Sequence, residues 1–551
     1  MTGRRRIILA VCAALSVGAV AFVYRFNSLG GTLGGFDNDH FAHLMRAEML
    51  LRGEQPLRDF ADAELRGAWP ALSYAVPAWA QQIGGRTLLA DAYLTVGAIA
   101  LAHAMVFLLA LDLSKRWSMA FLAAAVAVAT TPKLYNYPKV LMLALGALAL
   151  GAVASNPSTP RLALAAVVTA AATLFRHDYG VYVAAGIVAA LVARAAPAWP
   201  AVARTVGVYA ALSAICLLPS AVWVQVYEGI PAYLSNALAT SALETTRTKL
   251  RLPSFEWSSV FTRDGLLVVT YYAFWGVLVD ASATLIARMI GTKAPLRPAE
   301  RGTAIGLLAM AAVVNTFFLR ANLDQRFGDA IIPVALLAAW TVGAALESSS
   351  NALRIPAVAL PVVLLLYMFG AAYVFSDIKR ELDTSGLSDS WGKVTRRYQA
   401  VRAELGRLPP VVWADSDATG TLRAARYVAE CTAPDDYLLV AGHYQEIPVF
   451  ARRRFAAGQP TVSLSFYTSE GDQRRALTRL ERQSVPIVLA DAEDFEEGFA
   501  SDYPLLAQHL AGAYRETGTI AVDDEPRFRV FVDAHRQPTG VDPHLGLPCF
   551  R

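Results

Sequence analysis

The stretch DNDHFAHLMRAEMLLRGEQPLRDFADAE, residues 37–64, decides how this chain is read. It comes shortly after an apolar run at 7–24 and opens on two carboxylates two positions apart, Asp37 and Asp39. A helix would set Asp39 and His43 on one face, because residues four apart are neighbours on a helix surface. Arg46, Glu48, Asp59, Asp62 and Glu64 follow. Ionisable groups are costly in lipid, so this many beside a membrane exit point to a functional loop.

Outward from that stretch the chain is apolar. Of its 551 residues, 55% are hydrophobic and only 17% charged, a balance that soluble globular proteins rarely show. Apolar segments near or above the roughly 20 residues that cross a bilayer lie at 7–24, 87–112, 117–131, 138–154, 161–175, 179–197, 205–224, 265–289, 302–319, 330–346 and 355–375. That gives about eleven expected spans. The run WPALSYAVPAWAQQIG at 69–84 reads as a re-entrant or interfacial helix instead. Arg4, Arg5 and Arg6 precede the first span. Lys115, Arg116, Arg161, Arg194, Arg204, Lys293, Arg297, Arg301 and Arg354 fall on the same side of an alternating topology. Positive charge marks that side as cytoplasmic. An odd number of spans then puts 25–86 and everything after about 376 outside. Ala19-Val20-Ala21 has the form of a signal-peptide cleavage site, but cleavage would leave 25–86 outside all the same.

The net charge of +4 is small for this length and gives no footprint for nucleic acid. Cys12 and Cys216 fall in spans and read as apolar filler. Cys431 and Cys549 fall in the external tail, where disulfides form and persist. A bridge between them would tie down the C-terminus.

Residues 37–64 resemble the first external loop of the GT-C glycosyltransferases, polytopic enzymes that use polyprenyl-phosphate sugars. Bacterial family-39 and RgtA/B/C/D-like members read roughly DxDExxHLxxAxxLxxGxxPYRDFFEHHxP there. Asp37, Asp39, His43, Leu44, Gly53, Pro56, Arg58, Asp59 and Phe60 match, and Asp62 stands where the pattern has Glu. The chain departs at His40, at Leu57 and in ADAE at 61–64. A second match lies far away: YVAECTAPDDYLLVAGHYQEIPVFARRRFAAG, 427–458, is similar to the tails of the same enzymes. The resemblance implies a polytopic α-helical membrane protein, GT-C-like, with about 11 transmembrane helices and a C-terminal external α/β domain. Residues 1–375 would form the catalytic module, with a first external loop at 25–86 and a long one at 225–264. Residues 376–551 would form the extracytoplasmic domain. It also implies residence in a bacterial inner membrane, contact with membrane lipids, a polyprenyl-phosphate-linked sugar as donor, and a cell-envelope glycan or lipid-linked acceptor.

The tail's own pattern agrees with an α/β domain. Short apolar runs at 437–442, 485–491 and 528–533 read as strands, and 418–431, 470–483 and 502–514 as helices. Such alternation predicts a largely parallel sheet. No glycine-rich phosphate loop follows the strands.

Sugar transfer from a polyprenyl phosphate needs a base for the acceptor hydroxyl and positive charge or a metal for the leaving phosphate. Asp37 and Asp39 are the candidate catalytic carboxylates. Asp37 equally suits the cap of the helix that follows. His43 could join Asp39 in holding a divalent metal, meet phosphate, or orient Asp39; the metal stays open. Donor-phosphate candidates stand at the outer ends of spans: Lys139, Arg176 with His177, and Arg320 with Arg326. Arginine's planar fork suits phosphate oxygens. Asp59, Asp62, Asp178 and Asp324 are candidates for acceptor binding or support. Tyr135 and Tyr137 read as belt aromatics. Arg247, Lys249 and Arg251, followed by Phe255 and Trp257, suit a lid over lipid phosphate or contact with headgroups. The reading is a membrane glycosyltransferase, in all expectation inverting. The alternative is a non-catalytic transporter or flippase of polyprenyl-linked sugars, which would carry its charges inside spans near the midplane.

Overall fold

Backbone groups in lipid must be satisfied internally, which makes a long apolar run a helix. The computed structural model describes the chain apart from residues 1–2, 31–34, 37, 62–69, 131–133, 135–137, 249–251, 255–256, 291–295, 318–325, 348–350, 409–419, 464–465 and 523–524. Helices α1 (Gly3–Phe26), α2 (Asn38–Leu51), α3 (Leu72–Gly84), α4 (Leu88–Ser114), α5 (Trp117–Ala129), α6 (Lys139–Ser155) and α7 (Thr159–Phe175) come first. There follow α8 (His177–Ala195), α9 (Trp199–Tyr227), α10 (Ile230–Thr248), α11 (Arg263–Ile290), α12 (Pro298–Phe317), α13 (Phe327–Leu346) and α14 (Asn351–Phe375). Helices α1, α4–α9 and α11–α14 fall on the eleven expected spans. Among the described residues seven helices are long and apolar enough to cross a membrane: α1, α4, α8, α9, α11, α13 and α14. The apolar helices α5, α6 and α7 are shorter.

The bundle is built around α13. Its side chains are buried almost all round, as a helix apolar on every face must be. Small residues let α8 and α12 meet closely. A Cβ on Gly306 would come within 2.8 Å of the Gly186 carbonyl oxygen, and one on Gly302 within 2.9 Å of that of Ala190. Only hydrogen fits there.

Within 225–264, the segment expected as a long external loop, α10 occupies Ile230–Thr248. The run expected as a re-entrant or interfacial helix holds α3 (Leu72–Gly84), packed against α2 and α4 with Trp79 and Ile83 turned outward.

Beyond α14, helices α15 (Ile378–Ser385) and α16 (Trp391–Leu405) return over the ends of α1 and α4. Arg397 holds the chain after α1, donating to the Asn27 and Leu29 carbonyls at 2.8 and 2.7 Å. The tail then runs α17 (Thr421–Cys431), β1 (Tyr437–Ala441), α18 (Glu446–Ala451), β2 (Arg454–Phe455), α19 (Glu470–Leu480) and β3 (Ile487–Asp491). It continues with α20 (Ala492–Glu497), α21 (Phe499–Asp502), α22 (Pro504–Ala513), β4 (Tyr514–Val522), β5 (Glu525–Asp533), β6 (Gly540–Val541) and β7 (Pro548–Cys549).

The main sheet has the order β2-β1-β3-β5-β4. β2, β1 and β3 are parallel, whereas β5 runs antiparallel to β3 and to β4. The sheet is therefore mixed, not largely parallel. β4 was not anticipated, since 502–514 reads as a helix and the strand begins at its end. Alternate residues divide the sheet between two cores. Leu438, Ile487 and Leu489 pack with α17, α18 and the ends of α1, α2 and α4. Leu439, Val488 and Ala490 pack with α19 and α22. The first of these cores, with Phe26, Phe41 and Leu44 in it, seats the tail on the helical bundle. Cys431 at the end of α17 is disulfide-bonded to Cys549 in β7, and the Phe550 amide donates to the Cys431 carbonyl at 2.7 Å.

Candidate active site

Three helices start together at the tail-bearing end of the bundle. α6 begins at Lys139 behind Pro138, α8 at His177 behind an extended Arg176, and α13 at Phe327 behind Arg326. Helix N-termini carry partial positive charge and orphan N–H groups, which favour anions.

The side chains at these starts reach one another. Lys139, 2% exposed, is ion-paired with Asp329, 8% exposed, in the first turn of α13. A carboxylate there also answers the α13 dipole. Arg326 and Arg176 both act electrostatically on Lys139. Arg176 meets Asp178 at 2.9 Å. Asp178 accepts from the Tyr182 hydroxyl at 3.3 Å and from the Tyr179 amide at 3.0 Å. Tyr179 is buried within the fields of Asp329, Asp178 and Arg176.

α2 forms a second wall. Asp39 is in its first turn, and His40, His43 and Arg46 are fully buried. Arg46 donates to the Ala42 carbonyl at 2.8 Å and to the Ala61 carbonyl at 3.4 Å. His43 lies in the fields of Arg46, His40 and Arg176, which ties α2 to the α7–α8 junction. Burial first, and then those three neighbours, hold the His43 imidazole well below the ordinary histidine range. Burial pushes His40 down to about 3. Both rings are neutral at neutral pH. A neutral ring can still orient a carboxylate, ligate a metal or donate one N–H to a phosphate oxygen. Among the described residues no three His, Cys, Asp or Glu side chains gather as a metal site.

Next to this cluster lies a polar cleft of about 180 Å³. Leu57 and Ala61 of the first loop form one side, Tyr227, Glu228 and Asn236 of the α9–α10 corner another, and Asp472, Arg475 and Arg479 of the tail the third. The Ala61 amide bonds the Gly458 carbonyl at 2.8 Å, and Arg479 donates to the Arg58 carbonyl at 3.2 Å. Glu54 accepts from Tyr437 at 2.7 Å and pairs with Arg454 at 3.2 Å. The tail thus fixes the loop that follows α2. Cleft and cluster adjoin: Ala61 belongs to the cleft and touches Arg46, and Tyr233 of α10 meets His177 edge-on at 5.9 Å between ring centroids.

Of the residues singled out from sequence, the fold brings together Lys139, Arg176, Arg326, Asp178 and His43, with His177 at the margin. Asp59 is committed to its own turn. It accepts from the Gln55 amide at 2.8 Å and pairs with Arg58 at 2.6 Å. Partial burial works against its charge, but the Arg58 and Gln55 bonds and the Arg479 field hold it below the usual carboxylate range. Asp37, Asp62, Arg320 and Asp324 lie outside the described residues, as do Tyr135, Tyr137, Lys249, Arg251 and Phe255. Sequence reading missed Asp329, Arg46 and Tyr179. Arg46 had a signal, since 39, 43 and 46 share a helix face. Asp329 had one too, as the single carboxylate in an otherwise apolar helix.

No family model matches the chain, and no curated protein matches it. Among solved structures it is similar to the crystal structure of ArnT from Cupriavidus metallidurans bound to undecaprenyl phosphate. Identity is 15% and the TM-score 0.44, over 97% of this chain and 99% of that one. At that distance the likeness transfers neither activity nor ligand to this chain.

Proposed function

We propose that this chain is a GT-C-type membrane glycosyltransferase that moves a sugar from a polyprenyl phosphate to a cell-envelope glycan or lipid-linked acceptor. One observation carries the reading: Lys139, Arg176 and Arg326 converge where three helices start, beside the α2 face that bears Asp39. Lys139 and Arg176 already meet Asp329 and Asp178, yet three cations beside three helix N-termini still make a place that favours an anion. The motif at 37–60 supports the same reading. A transport path would instead set ionisable groups near the midplane of the spans, whereas these four groups, with Asp329, stand at helix ends.

Residues 1–375 act as the catalytic module and 376–551 as its extracytoplasmic domain, with the active site on the extracytoplasmic face. Asp39, with Asp37 beside it, takes the proton from the acceptor hydroxyl. That oxygen attacks the anomeric carbon from the face opposite the phosphate, the C–O bond to phosphate breaks, and configuration inverts. Arg176, Lys139 and Arg326, with Arg320 shortly before α13 in the sequence and His177 at the margin, hold the departing phosphate. The cleft at Glu228, Asp472 and Arg479 receives the acceptor, whose hydroxyls suit its alternating donors and acceptors.

Purified protein in proteoliposomes tests this with a polyprenyl-phosphate sugar and a radiolabel on the sugar. Asp39→Asn should cut transfer by roughly 10²–10⁴-fold, the usual share of general-base catalysis, and keep polyprenyl-phosphate affinity. Arg176→Ala should weaken that affinity by about 2–5 kcal/mol. Wild-type turnover in Asp39→Asn together with wild-type affinity in Arg176→Ala would reject the assignment.

A further inference from the structure

Helices α4, α6, α12 and α13 enclose a cavity of about 380 Å³ at the end of the bundle remote from Lys139. Helix direction fixes its place. α6 runs from Lys139 to Ser155, roughly 24 Å along its axis at 1.5 Å per residue, and the cavity lines its last turns. The floor is apolar, formed by Leu109, Leu113, Leu307, Leu336 and Trp340. Small residues make the room: Ala147, Gly151 and Ala152 on α6 and Ala344 on α13. A Cβ built on Gly151 would meet nothing within 4 Å.

The mouth is charged in both senses. Asp112 and Lys115 end α4, Arg297 and Glu300 open α12, and Glu347 follows α13. Glu300 is taken up by Arg288 at 3.5 Å. Lys115 pairs with Asp112 at 2.6 Å, Arg297 lies 3.9 Å from Glu300, and Glu347 lies 3.9 Å from Arg288. Lys115, Asp112, Arg297 and Glu347 are more than half exposed, where such pairs are worth only about 0–1 kcal/mol and can be exchanged for a headgroup's phosphate and ammonium.

Close-packed interiors leave few voids larger than water, and a dry apolar void attracts apolar guests. An open apolar space beside lipid with a rim of both signs fits a molecule that is hydrocarbon at one end and zwitterionic at the other. We propose that the cavity binds one phospholipid of the leaflet opposite the candidate active site, with an acyl chain on the Leu336–Trp340 floor and an ethanolamine headgroup at the rim. The phosphate meets Lys115 and Arg297, and the ammonium donates to Asp112 and Glu347. A purely anionic headgroup would face those two carboxylates unpaired. A choline headgroup has no N–H to give them.

Native mass spectrometry of the purified full chain, titrated separately with phosphatidylethanolamine, phosphatidylglycerol and phosphatidylcholine, tests the site. One phosphatidylethanolamine per chain should be retained about tenfold more tightly than the other two, a gap of one decade in dissociation constant. Gly151→Leu places its side chain in the open space and should abolish that adduct without lowering the melting temperature. Asp112→Asn combined with Glu347→Gln should erase the headgroup preference while an adduct persists. A second readout does not depend on Gly151→Leu folding: phosphatidylethanolamine brominated on its acyl chain should quench a fluorescence component that Trp340→Phe removes. Equal retention by wild type and a folded Gly151→Leu, equal affinity for the three headgroups, or no Trp340-dependent quenching would each overturn the proposal.

Discussion

Lys139 and Asp329, 190 positions apart in the chain, meet as a buried ion pair where α6 and α13 both begin. Asp329 is helped by the dipole of its own helix, while Lys139 stands against that of α6. The pair therefore does two things. It gives a lysine buried at a helix start its carboxylate partner, and it holds that amine beside Arg176 and Arg326.

The first prediction separates those two effects. Replacing one member by alanine leaves the other charge buried, and such breaks cost about 3–5 kcal/mol. Asp329→Ala and Lys139→Ala should each lower the melting temperature sharply in detergent. The double replacement Lys139→Met with Asp329→Leu removes both charges and should recover most of that loss. Polyprenyl-phosphate affinity should not return with it. A double variant that binds the lipid as wild type does would show that Lys139 is structural only.

A second prediction concerns Glu446 at the start of α18, outside the spans. It is 4% exposed, and burial raises its carboxyl from the usual range to about 7. The folded protein thus holds this proton more tightly than the unfolded chain. The favourable contribution is complete below about pH 4.5 and is lost as pH rises through about 7. Glu446→Gln mimics the protonated form. Thermal stability of the variant should exceed that of wild type at pH 8 and equal it at about pH 4. Parallel pH profiles for the two proteins would contradict the buried, proton-holding role.

The spans were legible because apolar length is a local property that needs no knowledge of neighbours. The pairing of Lys139 with Asp329 was not, since no local pattern says which helix ends meet. Asp329 looked like an ordinary first-turn carboxylate in RFGDAIIP. The start of α10 was hidden in a stretch whose polar end, ETTRTK, reads as loop. β4 was hidden for a different reason. YRETGTIAV lies at the edge of the sheet, paired only with β5, and two register shifts interrupt that pairing. Edge strands need little apolar alternation, so its sequence signal is weak. The α2 face carrying Asp39, His43 and Arg46 was legible by spacing. The burial that makes both histidines neutral was not, because it comes from the α7–α8 junction and the tail.

A third prediction follows from the Cys431–Cys549 bridge, which closes a loop across a sequence separation of 118. In the chain-entropy account a loop of that length is worth about 4–5 kcal/mol. Reduction, or Cys549→Ser, should therefore lower the unfolding temperature of the tail and release β7 with the last residues. Hydrogen exchange should then rise at 539–551 and at the end of α17. Mass spectrometry of the non-reduced protein must first recover the linked peptides. Recovery of both thiols free would remove the premise.

The last prediction tests whether the tail positions the catalytic loop. Gly458 has φ of +63°, a backbone region that costs residues with a Cβ about 1–2 kcal/mol. A Cβ added there would come within 2.5 Å of both the Asp59 carbonyl oxygen and an Arg479 nitrogen. Arg479 could move aside, but the Asp59 carbonyl is backbone, so the loop itself must shift. Overpacking of this kind adds about 1–3 kcal/mol. The shift strains the Ala61–Gly458 hydrogen bond and, through Ala61, the contact to Arg46 on the face that bears His43. Gly458→Ala should thus destabilise the protein by about 2–5 kcal/mol, the sum of those terms, and reduce transfer at temperatures where the fold is intact. Gly471→Ala is the matched control. It lies in the first turn of α19 with nothing within 4 Å of an added Cβ, and alanine favours a helix by roughly 0.5–1 kcal/mol over glycine. It should leave transfer unchanged and stability equal or higher. If Gly458→Ala lost stability but transferred sugar at the wild-type rate, the tail would be a cap on the bundle and not the part that sets the loop after α2.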